Sequence, residues 1–298
     1  MSLLFIFVDG IGIGQPGYKN PLSTNRLSFF EEIANQSHLH TDSEFINTTN
    51  LLIKPIDANL DMPGLPQSGT GQTALFTGKN GAEIVGRHFG PYPHSKLKPF
   101  LKEDSFFNNL KKNGKSPYFL NAYPPIFFEH AQRRNRWSCS TLMVKSSGQA
   151  LNSTDKVMKG EAITAELMGD YWRAKLNINL PKRNPADVAD IILEQTRRHD
   201  VTLLEYYLTD KAGHSKSDKE ATDVLNRLDS VLTAIIKKMK SETIIISSDH
   251  GNLEDLSVKT HTRNPVPLIA VGPAAEIFSN SENIMDVYNG IMNYSHSI

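Results

Sequence analysis

Cysteine is almost missing from this chain: Cys139 is the single one in 298 residues. That excludes an internal disulfide framework and a cysteine-based zinc site, and Cys139 reads as a small apolar residue near the core. Charge of one sign is missing too, because 32 Lys and Arg balance 32 Asp and Glu. The basic clusters at Arg133, Arg134 and Arg136 and at Lys111 and Lys112 are local and build no basic face, so nucleic-acid binding lacks electrostatic support. No apolar stretch approaches the ~20 residues needed to span a bilayer. The opening MSLLFIFVDG has no positive segment before its apolar run and no small-residue cleavage site after it, so it reads as the first strand of a buried sheet rather than an export signal. The expectation is a soluble, cytoplasmic protein without a membrane or nucleic-acid partner. Repeats, low-complexity tracts and obvious linkers are absent as well, and the length suffices for a full core.

What is present is a recurring shape. LLFIFVD ending at Asp9, TLLEYYLTD ending at Asp210 and TIIISSD ending at Asp249 are short, nearly continuous apolar runs, as expected for parallel strands covered on both faces. Between the last two, Val224, Leu225, Leu228, Val231, Leu232 and Ile235 recur at helical spacing, which predicts a strand–helix–strand crossover. Asn184 and Pro185 predict a helix start, as N-cap and first helical residue. SFFNNLKKNGKSPYFLNAY reads as helix, stop at Gly114 and strand, and LIAVG after Pro267 as one more strand. The fold class is α/β: a three-layer α/β/α sandwich around a mostly parallel sheet, in one domain over residues 1–298. Residues 86–99 and 137–181 lack clean periodicity and are expected to be long loops or a small lobe acting as a lid.

Ligands of open parallel sheets gather beyond the carboxyl ends of the strands, where three strands each deliver an aspartate. A single such aspartate is an ordinary turn or cap residue. Here His214 follows Asp210 in TDKAGHS, His250 follows Asp249 in SSDHGN, and His261 sits in KTHTRNPVP, all expected in loops after strands. Carboxylate with imidazole is ligand chemistry for zinc, manganese or iron. Six ligands suit two ions, and two ions roughly 4 Å apart can clamp the attacking and leaving oxygens of a phosphoryl transfer. The nucleophile is expected in LPQSGTGQTALFTG, a Gly-rich turn with hydroxyls at Ser68, Thr70 and Thr73 running into a helix whose start favours anions. A hydroxyl bound to metal there would lose its proton near neutral pH and attack.

These residues resemble the alkaline phosphatase superfamily of two-metal enzymes, most of all the branch of cofactor-independent phosphoglycerate mutase and phosphopentomutase. FVDGIGIG is similar to its first strand and metal-binding aspartate, SSDHGNLED and HTRNPVPLIAVG to its two C-terminal signatures, and TDKAGHS to its Asp-x-x-x-His element. The resemblance covers the sheet core and not the middle of the chain. It implies that Asp210, His214 and His261 hold one divalent ion, and that Asp9, Asp249 and His250 hold the second, with the nucleophile oxygen bridging. It leaves Ser68 and Thr70 both open as that nucleophile, Ser68 by the alkaline phosphatase pattern and Thr70 by the mutase spacing to Gly78. Arg134 falls where those enzymes place a phosphate-clamping arginine, with Arg133 and Arg136 as substitutes. Glu205 matches a third-metal ligand of alkaline phosphatases, but the partner threonine of that site would fall near Tyr123, which argues against a third ion.

The sulfatase pattern is missing. So is an evident large cap domain, which in the mutases shields the phospho-enzyme from water. The expected activity is therefore hydrolysis of a small phosphorylated substrate by a metal-dependent phosphatase or phosphodiesterase using two zinc or manganese ions. A phosphomutase is the alternative and a non-catalytic metal-binding protein the second. Gly12, Gly14 and Gly17 also spell G-x-G-x-x-G after the first strand, a weak nucleotide signal that Pro16, Tyr18 and Pro21 oppose.

Overall fold

A computed structural model describes residues 2–297. Seven strands form one sheet: β1 (Leu3–Val8), β2 (Ile46–Asn47), β3 (Leu51–Ile56), β4 (Pro117–Phe119), β5 (Val201–Tyr206), β6 (Thr243–Ser247) and β7 (Val266–Val271). Their order is β2-β3-β7-β6-β1-β5-β4. β4, β5, β1 and β6 are mutually parallel, β7 runs against both β6 and β3, and β2 runs against β3. The strand expected at LIAVG is thus antiparallel to its neighbour, while the sheet as a whole is mostly parallel.

β1 explains the layering. It lies between β5 and β6 with every residue buried, and its side chains alternate between faces. Leu3, Phe5 and Phe7 join a core with Phe76, Phe106, Leu142 and Ile291, from helices Ser68–Thr77, Phe106–Lys112, Cys139–Ser146 and Met285–Ser297. Leu4, Ile6 and Val8 join a second core with Phe29, Ile192, Leu225 and Ile235, from helices Ser28–Ala34, Pro185–Arg198 and Asp218–Lys238. Each fully buried large apolar side chain contributes about 1.5–3 kcal/mol, so two covered faces supply the driving force that one face could not.

The predicted helix starts follow local chemistry. Asn184 accepts from the Asp187 N–H, Asp187 returns the bond, and Pro185 occupies the first turn, a reciprocal cap. The stop at Gly114 has φ +73°, which favours glycine. The irregular middle is a set of short helices, Cys139–Ser146, Thr154–Met158 and Asp170–Leu176. Part of it closes on a third, small core of Ala122, Val157, Ala162, Trp172 and Leu180, and single bridges Asn121–Ile163 and Ala122–Asn152 tie it to the chain leaving β4. No helix among the described residues is long and apolar enough to cross a membrane.

Candidate metal centre

The topology carries the chemistry to one edge. Asp9 directly follows β1, Asp249 and His250 follow β6, and the helix Leu208–Ser215 follows β5. Because β7 runs the opposite way, the segment before it, with His261, returns to that same edge and pairs with the residues after β6 through a Gly251–Thr262 bridge. Asp210 and His214 do not sit in a loop as expected; they lie one turn apart on the helix, a spacing that puts both side chains on one face.

The six side chains meet. His214 Nε2 and His261 Nε2 each lie 3.4 Å from the Asp210 carboxylate, and 3.2 Å from each other. His250 Nε2 is 3.4 Å from Asp9 Oδ1 and 3.5 Å from Asp249 Oδ2. The rings of His250 and His261 stack with centroids 3.7 Å apart, which joins the two halves. Ligand atoms of Asp210, His214 and His261 lie mutually within 4.8 Å, as do those of Asp9, Asp210 and His250. Asp210 therefore stands between the two groups, while Asp249 reaches the second group through His250.

Ser68 opens the helix Ser68–Thr77, and its Oγ lies 3.0 Å from His250 Nε2. Thr70, the other candidate, faces elsewhere. Its hydroxyl donates to the Gln67 carbonyl at 3.0 Å and accepts from the Phe89 N–H at 3.3 Å. Of the two hydroxyls only Ser68 joins the cluster. Glycines let this helix in: a Cβ on Gly71 would stand 2.6 Å from the Asp249 carbonyl oxygen, closer than real Cβ contacts allow. Thr73 donates its hydroxyl to the Gly69 carbonyl within the helix.

The arrangement has the chemistry of a cation site. Asp9 Oδ1 and both oxygens of Asp249 are buried with no hydrogen-bond partner among the described residues, which is costly for carboxylates unless something positive is bound. The Nδ1 atoms of His214 and His261 lie 2.8 Å and 2.7 Å from the carbonyls of Lys259 and Pro66. Bonds of that kind keep the ring proton on Nδ1 and leave the Nε2 lone pairs pointing inward. Two such lone pairs 3.2 Å apart repel unless a proton or a cation lies between them.

Charge crowding shows in the acidities. Burial, then the charges of Asp249, Asp210 and Glu205, hold the Asp9 carboxyl well above the usual range. Burial and Asp210 push Asp249 up to about 7. Burial and the neighbouring His261 push His250 down to about 3, so its ring stays neutral. For Asp210, burial is outweighed by the hydrogen bonds it shares with His261 and accepts from Asn252, and it falls to about 2. For His261, the desolvation that disfavours its charge is outweighed by Asp210 and by Pro66, so it is raised.

Several supporting residues were not anticipated. Gln72 donates to Asp9 Oδ2 at 3.3 Å, one turn beyond Ser68, a spacing that could have flagged it. Asn252 donates to Asp210 Oδ1 at 2.6 Å, and Glu254 accepts from the Gly12 and Asn252 N–H groups at 2.9 Å and 2.7 Å. Both lie inside SSDHGNLED, where attention rested on the histidine and aspartate. Glu205 is buried on β5 and accepts from Ser140 Oγ at 2.8 Å; the hydroxyl on Glu205 is thus Ser140, not a residue at Tyr123.

The remaining sequence features stand outside this cluster. The first helix after β1 begins only at Pro21, and Gly12 binds Glu254, so the Gly12, Gly14 and Gly17 pattern opens no nucleotide-binding helix. Arg134 ends the helix Pro125–Arg134, is exposed and makes no described contact with the cluster. Arg136 instead lies over the Tyr92 ring at 3.9 Å. Cys139 is buried, donates to the Gly69 carbonyl at 3.6 Å, and burial pushes its thiol up, in keeping with an inert core residue.

A family model described as the metalloenzyme superfamily matches residues 1–296. The chain belongs to this alkaline phosphatase-like superfamily. Among curated relatives, the 2,3-bisphosphoglycerate-independent phosphoglycerate mutase of Methanobrevibacter smithii is 26% identical over 132 residues, 38% of this chain and 32% of that protein. The enzyme of the same name from Malacoplasma penetrans is 30% identical over 114 residues, 36% of this chain and 23% of its own. The chain thus spans under a third of the length of these relatives in its matched part. By structure it is similar to a protein of Pyrococcus horikoshii, with TM-score 0.60 and 13% identity over 100% of this chain and 97% of the other. The alkaline phosphatase of the Antarctic bacterium TAB5 follows at TM-score 0.58 and 11% identity, over 99% and 97% of the two chains. At such identities the likeness shows the fold.

Proposed function

We propose that this superfamily member is a two-metal phosphoryl-transfer enzyme that hydrolyses small phosphate esters through a phosphorylated Ser68. The observation that carries the reading is Ser68 Oγ standing 3.0 Å from His250 Nε2, within a cluster of three aspartates and three histidines. In this reading Asp210, His214 and His261 hold one ion and Asp9, Asp249 and His250 the other, with Ser68 between them. Mixed carboxylate and imidazole donors suit zinc or manganese. Two bound divalent ions would offset the carboxylate repulsion and favour ionisation of the Ser68 hydroxyl.

The chain's own residues supply the rest. Ser68 Oγ attacks phosphorus opposite the leaving oxygen; the Oγ–P bond forms, the ester P–O bond breaks, and the leaving alkoxide takes a proton from solvent. At the start of helix Ser68–Thr77 the N–H groups of Ser68 and Gly69 have no intrahelical acceptor and would face the phosphoryl oxygens, whereas those of Thr70 and Gly71 are already bonded to backbone carbonyls. Gln72 holds Asp9, and Asn252 holds Asp210, in ligand orientation. Water then attacks phosphorus, the P–Oγ bond breaks, inorganic phosphate leaves and Ser68 regains its proton.

The names of the relatives favour a second reading, a phosphomutase. Hydrolysis is preferred because residues 86–181 build helices of only 5 to 10 residues, with a small core of five apolar side chains. We read this as too little to keep water from a phosphoserine. The test is the fate of a labelled phosphoryl group. Hydrolysis predicts release of inorganic phosphate and a transient phosphoserine at Ser68, seen by mass spectrometry of quenched enzyme. Movement of the label between positions of one substrate, without release, would establish the mutase instead.

A further inference from the structure

Beside the nucleophile's helix lies a second recess, of about 210 Å³, lined by Phe89, Tyr92, His94, Lys98, Arg136 and Trp137 among others. At about 30 Å³ per water, it has room for a group of several heavy atoms. Its wall touches the reacting end of the helix. Phe89 O accepts from the Thr70 N–H at 3.0 Å, and a Cβ on Gly90 would stand 3.2 Å from Ser68 N. A Cβ on Gly69 would collide with the carbonyl oxygens of Tyr92 and Phe89. Phe89 and Gly90, which line the recess, thus adjoin the backbone at Ser68 and Thr70.

The lining has one sign of charge. Lys98 and Arg136 bring two cations, and no carboxylate lines the recess. Neither cation takes part in an ion pair among the described residues. Both side chains are exposed, so their charge is open to an incoming ligand rather than spent on a protein carboxylate. Arg136 is also held in place, because its guanidinium lies 3.9 Å over the Tyr92 ring. That stack fixes the plane of the guanidinium and leaves its edge free to donate to oxygens. Phe89 meets His94 edge-on at 4.9 Å, and with Tyr92 and Trp137 these rings give the recess flat aromatic walls beside the polar Ser95.

Resting on the hydrolase reading, we infer that this recess holds the leaving group, and that it selects phosphate esters whose organic part carries a second anionic oxygen group. A carboxylate and a second phosphate share that chemistry. The cations would engage the distal anion while Ser68 engages the phosphorus, and the aromatic walls would pack against the carbon skeleton between them.

Three esters on one ring separate the possibilities: phenyl phosphate, 3-carboxyphenyl phosphate and 1,3-phenylene bisphosphate. The metal-loaded enzyme is expected to show a higher kcat/KM for both anionic esters than for phenyl phosphate, the larger gain naming the source. Arg136→Ala and Lys98→Ala should each lower that ratio about fivefold, mainly through KM, and raised salt should lower it too. An anionic ester no better than phenyl phosphate, or a ratio that neither substitution moves, would overturn the inference. If no ester is turned over, the hydrolase reading fails, and binding still decides the recess. Trp137 fluorescence is then titrated with phenylphosphonate and 3-carboxyphenylphosphonate, which cannot be hydrolysed. Tighter binding of the carboxylated compound, lost in Arg136→Ala, supports the anion recess; equal affinities overturn it.

Discussion

Ser68 and Thr70 are two residues apart on one helix, yet their hydroxyls meet different surroundings. Ser68 faces His250, and Thr70 binds the backbone of Gln67 and Phe89. Ser68→Ala should therefore lower kcat about a thousandfold or more while metal content, read by elemental analysis, stays at the wild-type value. Thr70→Val should instead cost about 1–2 kcal/mol of stability, read in a urea melt, with kcat within about threefold. A dead Thr70→Val enzyme that keeps its fold would move the nucleophile. The sequence displays such residues unevenly. Aspartates at strand tips and histidines just beyond them stand out because their type is unusual for a turn. Gln72, Asn252 and Ser140 are ordinary polar residues whose partners lie 63, 42 and 65 positions away, so only folding reveals what they hold.

The acidities give a second residue-scale prediction, for the metal-free protein. Asp9, Asp249 and His261 have folded values above their unfolded ones, so the stability they lend is full in acid and fades as pH rises. For Asp249 that window runs from its ordinary value of 3.8 to about 7. His250 is depressed to about 3 and acts oppositely, adding stability as pH rises from about 3 towards its ordinary 6.5. Three groups against one leave the chelated protein more stable at pH 5 than at pH 8, by a few kcal/mol. Metal must displace the protons on Asp249 and His261, so the loaded protein should show the reverse order. Thermal melts at both pH values, with and without chelator, check the crossover; a metal-free protein most stable at pH 8 would contradict the charge crowding.

At the scale of elements, β1, β5 and β6 were legible because strands buried on both faces are written as unbroken apolar runs. β3, LLIKPI, was not. Lys54 and Pro55 interrupt its pattern, and the structure accommodates both: Lys54 Nζ donates to the Ser279 carbonyl at 3.1 Å, and Pro55 stands opposite Pro267 of β7. The C-terminal helix Met285–Ser297 was missed as well, since it is short of strong apolar periodicity and has Gly290 against Phe278. Helix Asp218–Lys238 and the capped start at Asn184 were readable from spacing alone. Two substitutions separate scaffold from site. Asn184→Ala should cost about 1 kcal/mol, seen as a lower melting temperature with kcat intact. Gly71→Ala places a methyl group against the Asp249 carbonyl. It should cost about 1–3 kcal/mol and depress kcat as well, because the Ser68 helix must move off its partner. Undiminished turnover in Gly71→Ala would show that this close approach is not needed.

For the whole molecule, the sandwich acts as a jig. Parallel β1, β5 and β6 and the reversed β7 bring four separate stretches of sequence to one edge, and the helix starting at Ser68 is laid across them. The two faces were predictable from composition and pattern. The bridging position of Asp210 and the recess beside Ser68 were not, because each arises from packing between segments with no sequence relation. The account's central claim is that Asp9, Asp210, Asp249, His214, His250 and His261 together bind two ions next to Ser68. Anomalous diffraction from crystals grown with zinc or manganese tests it most directly. Two peaks roughly 4 Å apart, one among Asp210, His214 and His261 and the other among Asp9, Asp249 and His250, are the predicted result. A single peak there, or peaks only elsewhere on the protein, would contradict it.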